Sequence, residues 1–117
     1  FSVAVLISGF VFVEPKDPAR QKEDINNDIT DAAQYRDAVR IVPDFARYFA
    51  DASNLSTQIV GVYGSEDGTV PPVRSKHLLS LYKNVREFEH DGGHYVPNKK
   101  QFLLPIVEVI TGTKMNL

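Results

Sequence analysis

At 117 residues the chain has room for one domain with one modest core and is too short for two. Hydrophobic residues make up 43% and charged residues 24%, ordinary globular proportions that exclude a disordered chain. The formal net charge of −2 gives no electrostatic ground for a nucleic-acid or anionic-membrane partner, and the lack of cysteine excludes disulfides, zinc–thiolate sites and a cysteine nucleophile.

No apolar run approaches the roughly 20 residues that span a bilayer. The chain begins Phe1-Ser2-Val3-Ala4-Val5-Leu6-Ile7, with neither an initiator Met nor a cationic leader. It reads as a strand entered from its first residue, and the chain as a piece of a longer protein. A cytoplasmic location, with the nucleus also compatible, is the expectation from missing targeting signals.

Residues 3–7 form a nearly continuous aliphatic run closed by Ser8-Gly9, the pattern of a strand buried on both faces in a parallel sheet. Residues 14–33 are polar and charge-rich with Pro15 and Pro18 near the start, which predicts a functional excursion, a lid or a disordered segment; through Asp37 the simplest reading is a solvated loop. Residues 31–50 suggest one or two short helices broken at Pro43, with Phe45, Tyr48 and Phe49 facing the core. A second buried strand follows at 59–63, ended by Gly64. Pro72 then opens a helix through Tyr82, with Val73, Leu78, Leu79, Leu81 and Tyr82 on its apolar face. Residues 86–90 are a weaker, more polar strand near an edge, which completes a strand–helix–strand unit. The last helix runs over 99–112, kinked at Pro105 and stopped by Gly112, with Phe102, Leu103, Ile106, Val107 and Ile110 on one side.

Asp67 lies four residues beyond the second strand, and His94 four beyond the third. Successive parallel strands open their carboxyl ends on one edge of the sheet, where loops of open α/β folds build ligand sites. One crossover therefore brings a carboxylate to an imidazole. Gly92-Gly93 predicts a tight turn before His94, while Gly64, Gly68 and Pro71-Pro72 shape the loop that presents Asp67. A serine hydroxyl becomes nucleophilic when an imidazole takes its proton, and a carboxylate on the far ring nitrogen fixes the tautomer. The order acid then base matches the α/β-hydrolase triad, in which the serine comes first. This chain shows no Gly-x-Ser-x-Gly elbow and no oxyanion loop.

Gly64-x-x-Asp67-x-x-Val70-Pro71 with Arg74-Ser75, together with Glu89-His90-x-Gly92-Gly93-His94-x-Val96-Pro97, resembles a family of small serine hydrolases of fungi and animals. That family is related to the hydrolase domain fused to some fungal dihydrofolate reductases. Ile7-Ser8-Gly9-Phe10 and Pro97-Asn98-Lys99-Lys100 extend the likeness over most of the chain apart from the middle loop. The resemblance implies an α/β-hydrolase fold, of which residues 1–117 are the C-terminal half of one domain. That half would hold about three parallel strands with crossover helices, and the nucleophile half would precede it. It implies esterase or thioesterase-like action on small acyl substrates without a cofactor. The family's acid falls on Asp67 and its base on His94. Ser8, Phe10, Val70 and Tyr95 are assigned to substrate binding, and the 14–33 loop would partly cover the acyl pocket.

Plainer readings stand beside these. Asp67 could be an ordinary turn aspartate, and His94 a histidine that only bonds locally. Asp91 and Glu66 read as solvated loop charges. His90 and His94 are four apart, but a Gly-Gly turn separates them and no third ligand accompanies them, so no metal is expected. His90 reads as a strand-end residue and His77 as a solvated helix position. Ser65 has the wrong glycine spacing for a nucleophile, and Ser8 lacks the preceding Gly-x. The rival function is a non-catalytic, truncated binding or interaction module. A nucleotide-binding half is disfavoured because no Gly-x-Gly-x-x-Gly or phosphate loop follows a strand.

Overall fold

The computed structural model of the protein describes residues 3–21, 25 and 28–112. In chain order its elements are β1 (Val3–Ile7), β2 (Val13–Pro15), α1 (Ala32–Ala38), β3 (Val39–Ile41), α2 (Pro43–Ala46), β4 (Gln58–Gly64), α3 (Pro72–Leu79), β5 (Val85–His90) and α4 (Lys100–Thr111). Two short 3-10 turns, Arg47–Phe49 and Ala52–Asn54, lie between α2 and β4. Among the described residues β1, β4 and β5 form a parallel sheet in the order β1-β4-β5, and β2 pairs with β3 in an antiparallel ribbon.

The period-2 geometry of a strand sorts β4 between two layers. Ile59 and Tyr63 turn to one face, where Leu79 of α3 packs on them. Val60 and Val62 turn to the other and meet Ile106 of α4. Burying each such aliphatic side chain is worth roughly 1.5–3 kcal/mol, so the central strand anchors both layers. Gly61 brings α3 closer still, because a Cβ there would fall inside the Leu79 side chain. A larger cluster under α3 joins Val11, Val13, Tyr35, Val39, Val73 and Leu78 and ties the β2–β3 ribbon to the sheet. With α3 on one face of the parallel sheet and α4 on the other, the described residues have the α/β layering that the sequence predicts.

Several local expectations change. β1 is not buried on both faces: Ala4 and Leu6 pack toward α3, whereas Val5 and Ile7 are 39% and 42% exposed. The reason is reach, since α4 packs across β4 and β5. The 14–33 segment is not a purely solvated loop or lid. Its start, with Val13, pairs with β3, and Ile25 and Ile29 enter the core; residues 22–24 and 26–27 lie outside the described residues. Pro43 begins α2 rather than breaking a helix, consistent with its missing donor being harmless in a first turn. Phe49 packs on the core, but Phe45 and Tyr48 are exposed, Phe45 resting on Phe12 at 5.0 Å.

His77 is buried rather than solvated, its ring edge-on to Tyr35 at 5.5 Å. Helix α3 stops at Leu79, so Leu81 and Tyr82 pack from the following turn. Helix α4 runs continuously through Pro105 and ends at Gly112, whose φ of 69° is the left-handed cap that glycine favours. Its sheet-facing stripe is Phe102, Ile106 and Val109, an i, i+4, i+7 spacing; Ile110, predicted on that side, is exposed.

Candidate active site

Parallel pairing sets Val62 opposite Phe88 and Gly64 opposite His90, so β4 and β5 finish together. The loops that follow are bonded to each other rather than independent. Ser65 N–H donates to the His90 carbonyl at 2.9 Å, and Glu66 N–H to the Gly92 carbonyl at 3.0 Å. Gly64 makes this approach possible: a Cβ there would collide with the Gly92 carbonyl and stand 2.5 Å from the Gly93 carbonyl. The residues that end one strand therefore carry the loop of the next.

Asp67 sits on this scaffold as a buried carboxylate. Its Oδ1 accepts from Thr69 N–H at 2.9 Å and from Val70 N–H at 2.8 Å, which fixes the plane of the carboxyl group. Its Oδ2 lies 2.9 Å from His94 Nδ1. Burial alone would raise the Asp67 pKa, but the bonds from Val70, His94 and Thr69, with the His94 charge, hold it below the ordinary value. An ionised carboxylate can only accept, so Nδ1 carries the proton and donates it. Neutral His94 then keeps a lone pair on Nε2. Its side chain is 45% exposed while that of Asp67 is fully buried, so the imidazole is reachable and its partner is shielded. The arrangement can take a proton at Nε2 and stabilise the resulting imidazolium through the carboxylate.

The loop between β5 and His94 turns without left-handed glycine: among described glycines only Gly112 has positive φ. What bars a side chain at Gly92 is contact, since a Cβ would fall on the Tyr95 hydroxyl. Tyr95 rests on the buried His90 ring at 5.2 Å, and Phe102 meets that ring from α4 at 6.3 Å. His90 Nδ1 accepts the Gly92 N–H at 3.1 Å. The two histidines thus turn their Nδ1 atoms to different partners.

The four residues assigned to substrate binding fall in three settings. Ser8 ends β1 at the same sheet edge as Asp67. It is 6% exposed, its N–H donates to the Val62 carbonyl at 2.7 Å, and its φ of 51° is unusual outside glycine. Its hydroxyl has no hydrogen-bond partner among the described residues. Phe10 and Tyr95 are 38% and 53% exposed. Val70 is instead buried, and its visible part in the site is the N–H that holds Asp67. Asp91 is exposed and 3.8 Å from Lys99, while Glu66 and Ser65 are exposed loop residues.

Sequence reasoning found Arg74-Ser75 and Ser8-Gly9-Phe10 as separate stretches but not their contact. Ser75 Oγ donates to the Gly9 carbonyl at 2.8 Å, the Arg74 guanidinium lies 4.1 Å from the Phe10 ring centre, and a Cβ on Gly9 would stand 2.9 Å from Leu78. This clamp fixes the exit of β1 against α3. A cavity of about 210 Å³ lies elsewhere, between β5 and α4, lined by His90, Phe102 and Ile106 among others and by neither Asp67 nor His94.

Comparison with known proteins gives this geometry a family. A 47-residue stretch is 43% identical to esterase GA18864 of Drosophila pseudoobscura pseudoobscura, covering 40% of this chain and 16% of that protein. A stretch of 47 residues is 36% identical to esterase CG5412 of Drosophila melanogaster, covering 40% of this chain and 17% of that protein. The aligned part is thus about a sixth of each relative's length. The family model described as serine hydrolase (FSH1) matches residues 1–106. Nearly the whole chain lies within that match, and the chain belongs to the serine hydrolase (FSH1) family.

Proposed function

We propose that this chain supplies the acid and the general base of a serine hydrolase that cleaves small acyl esters or thioesters, with Asp67 and His94 acting on a serine contributed by another part of the intact enzyme. The observation that carries the reading is the 2.9 Å Asp67–His94 bond, formed by a buried carboxylate whose other oxygen is held by two backbone N–H groups. The family membership and the esterase names of the relatives support the reaction class.

In this reading His94 Nε2 takes the proton of the serine hydroxyl as its oxygen bonds to the acyl carbon. Asp67 stabilises the imidazolium, which then protonates the departing alcohol or thiol oxygen or sulfur. The acyl-serine is released when His94 accepts a proton from water as the water oxygen attacks the same carbon; that proton then returns to the serine oxygen as the carboxylic acid leaves. Ser8, Phe10 and Tyr95 border the acyl site in this scheme, and Val70 holds the acid.

The test is the intact mass of the natural polypeptide before and after treatment with a fluorophosphonate. One covalent adduct, formed by the parent and lost in His94→Ala, is the expected result. No adduct on the folded parent overturns the reading and leaves a non-catalytic member of the fold. An adduct that forms at the same rate in His94→Ala removes His94 from the role of base.

A further inference from the structure

We infer that His90 is a positioning residue for His94, acting through its imidazole Nδ1 as a fixed acceptor for the catalytic loop; this rests on the acid–base reading of Asp67 and His94. The bond from Gly92 N–H to Nδ1 is 3.1 Å. A backbone N–H can only donate, so Nδ1 must present its lone pair, and the proton of the neutral ring stands on Nε2. Gly92 is thereby held from both sides. Its N–H is bound to the His90 ring, and its carbonyl accepts Glu66 N–H at 3.0 Å from the loop that carries Asp67. Two successive peptide groups are fixed, two residues before His94.

The ring is itself immobilised. His90 is 3% exposed and lies between Tyr95 at 5.2 Å and Phe102 of α4 at 6.3 Å, and its carbonyl accepts Ser65 N–H at 2.9 Å. No ladder hydrogen bonds organise residues 91–95, which lie beyond the end of β5. Orientation of the His94 ring therefore depends on side-chain and loop bonds, and His90 is a member whose ring also packs on the last helix through Phe102. Catalytic groups held by such supports lose rate steeply when displaced by even 1 Å or so.

The chemistry separates an acceptor role from simple space filling. In His90→Asn the side-chain carbonyl falls near the Nδ1 position and can accept the Gly92 N–H. His90→Phe keeps a ring against Tyr95 and Phe102 but removes the acceptor. His90→Gln carries its amide one bond further out, near the Nε2 position, and serves where the Phe variant does not fold. With a nitrophenyl ester as probe and the natural polypeptide as enzyme, His90→Asn should hold kcat within about threefold, while His90→Phe or His90→Gln should lower it by about tenfold with KM within twofold, the fold-change carried by one neutral hydrogen bond. The Gly92 amide should exchange with solvent slowly in the parent and in His90→Asn, and about tenfold faster in the other two.

Parent-like kcat in His90→Phe, or His90→Asn as slow as His90→Phe, overturns the inference. So does equal Gly92 protection in all variants. His94→Ala, run alongside, separates the two readings. Retained activity there refutes the acid–base assignment, whereas its loss together with parent-like activity in His90→Phe refutes the role of His90 alone.

Discussion

Two glycines flank Asp67, Gly64 at the end of β4 and Gly68 in the loop that follows, and the structure makes opposite predictions for replacing each with alanine. A Cβ on Gly64 would collide with the Gly92 carbonyl and stand 2.5 Å from the Gly93 carbonyl and 2.8 Å from His90 Cε1. Two of these atoms are backbone, so no rotamer change relieves the contact. Relief requires the 92–93 peptide to move away from β4, which strains the Glu66-to-Gly92 bond of 3.0 Å and displaces His94. Overpacking of this kind costs about 1–3 kcal/mol, and a weakened backbone bond adds about 1 kcal/mol. Gly64→Ala should therefore lose about 2–4 kcal/mol, together with at least tenfold in kcat through displacement of the base. At Gly68 a Cβ would meet nothing within 4 Å, and the backbone is not left-handed. Gly68→Ala should be neutral or stabilising by up to about 1 kcal/mol, because alanine narrows the unfolded ensemble. Urea unfolding of both variants, with ester hydrolysis on the same samples, is the assay. A Gly64→Ala variant as stable as the parent, or two variants that fall equally, would refute the claim that close approach of the two loops builds the site.

Asp67→Asn should retain the bonds from Thr69 and Val70 to its carbonyl but turn an NH₂ group toward His94 Nδ1, forcing the proton to Nε2 and removing the base. By analogy with the same change in a serine protease triad, kcat should fall about 10⁴-fold, measured against unchanged folding by circular dichroism. His77 has its pKa lowered by burial and by the charges of Arg36 and Arg74, so its contribution to stability is present above pH 6.5 and is lost as pH falls below that value. Stability should decline with acidification by up to about 1.4 kcal/mol per pH unit from this group; urea midpoints at two pH values check it, and a His77→Gln variant with undiminished pH dependence contradicts it. Ser75→Ala should cost about 1–3 kcal/mol in urea unfolding, since it leaves the Gly9 carbonyl without the hydroxyl that now bonds it at 2.8 Å.

The parallel core was legible because its residues obey one local rule. A mainly β-branched run such as the one in β4, interrupted only by Gly61, reads as a strand covered on both faces, and the described β4 is buried from Ile59 to Gly64. The same rule misled at β1, where the identical pattern leaves Val5 and Ile7 partly exposed. A strand's composition records what its faces can tolerate, not which neighbouring element covers them. The polar middle segment misled in the other direction. Ile25 and Ile29 are four apart, a helical spacing, but stand as two apolar residues among polar ones, a signal too short to read; both reach the core under α3. His77 is a similar case, because a lone histidine on a helix is equally compatible with solvent and with the aromatic edge of Tyr35.

Glycine shows why the loops around Asp67 and His94 are easier to mark in the sequence than the contacts within them. The Gly92-Gly93 pair marked the loop before His94, but the expected backbone freedom is not what the fold uses there. Gly64 matters through atoms distant in sequence, the carbonyls of the neighbouring loop, and Gly92 through the Tyr95 hydroxyl three residues on. A sequence displays the absence of a side chain without displaying what occupies its place. The same holds for His90, which reads in the sequence as a strand-end residue and whose Nδ1 is committed to the backbone of the loop that follows. Asp67 and His94, 27 residues apart, are brought together by one strand–helix–strand unit whose two exit loops bond to each other. Every support described for that pair comes from residues 64–102, so perturbing β2, β3 or α1 should lower stability without altering the 2.9 Å acid–base geometry.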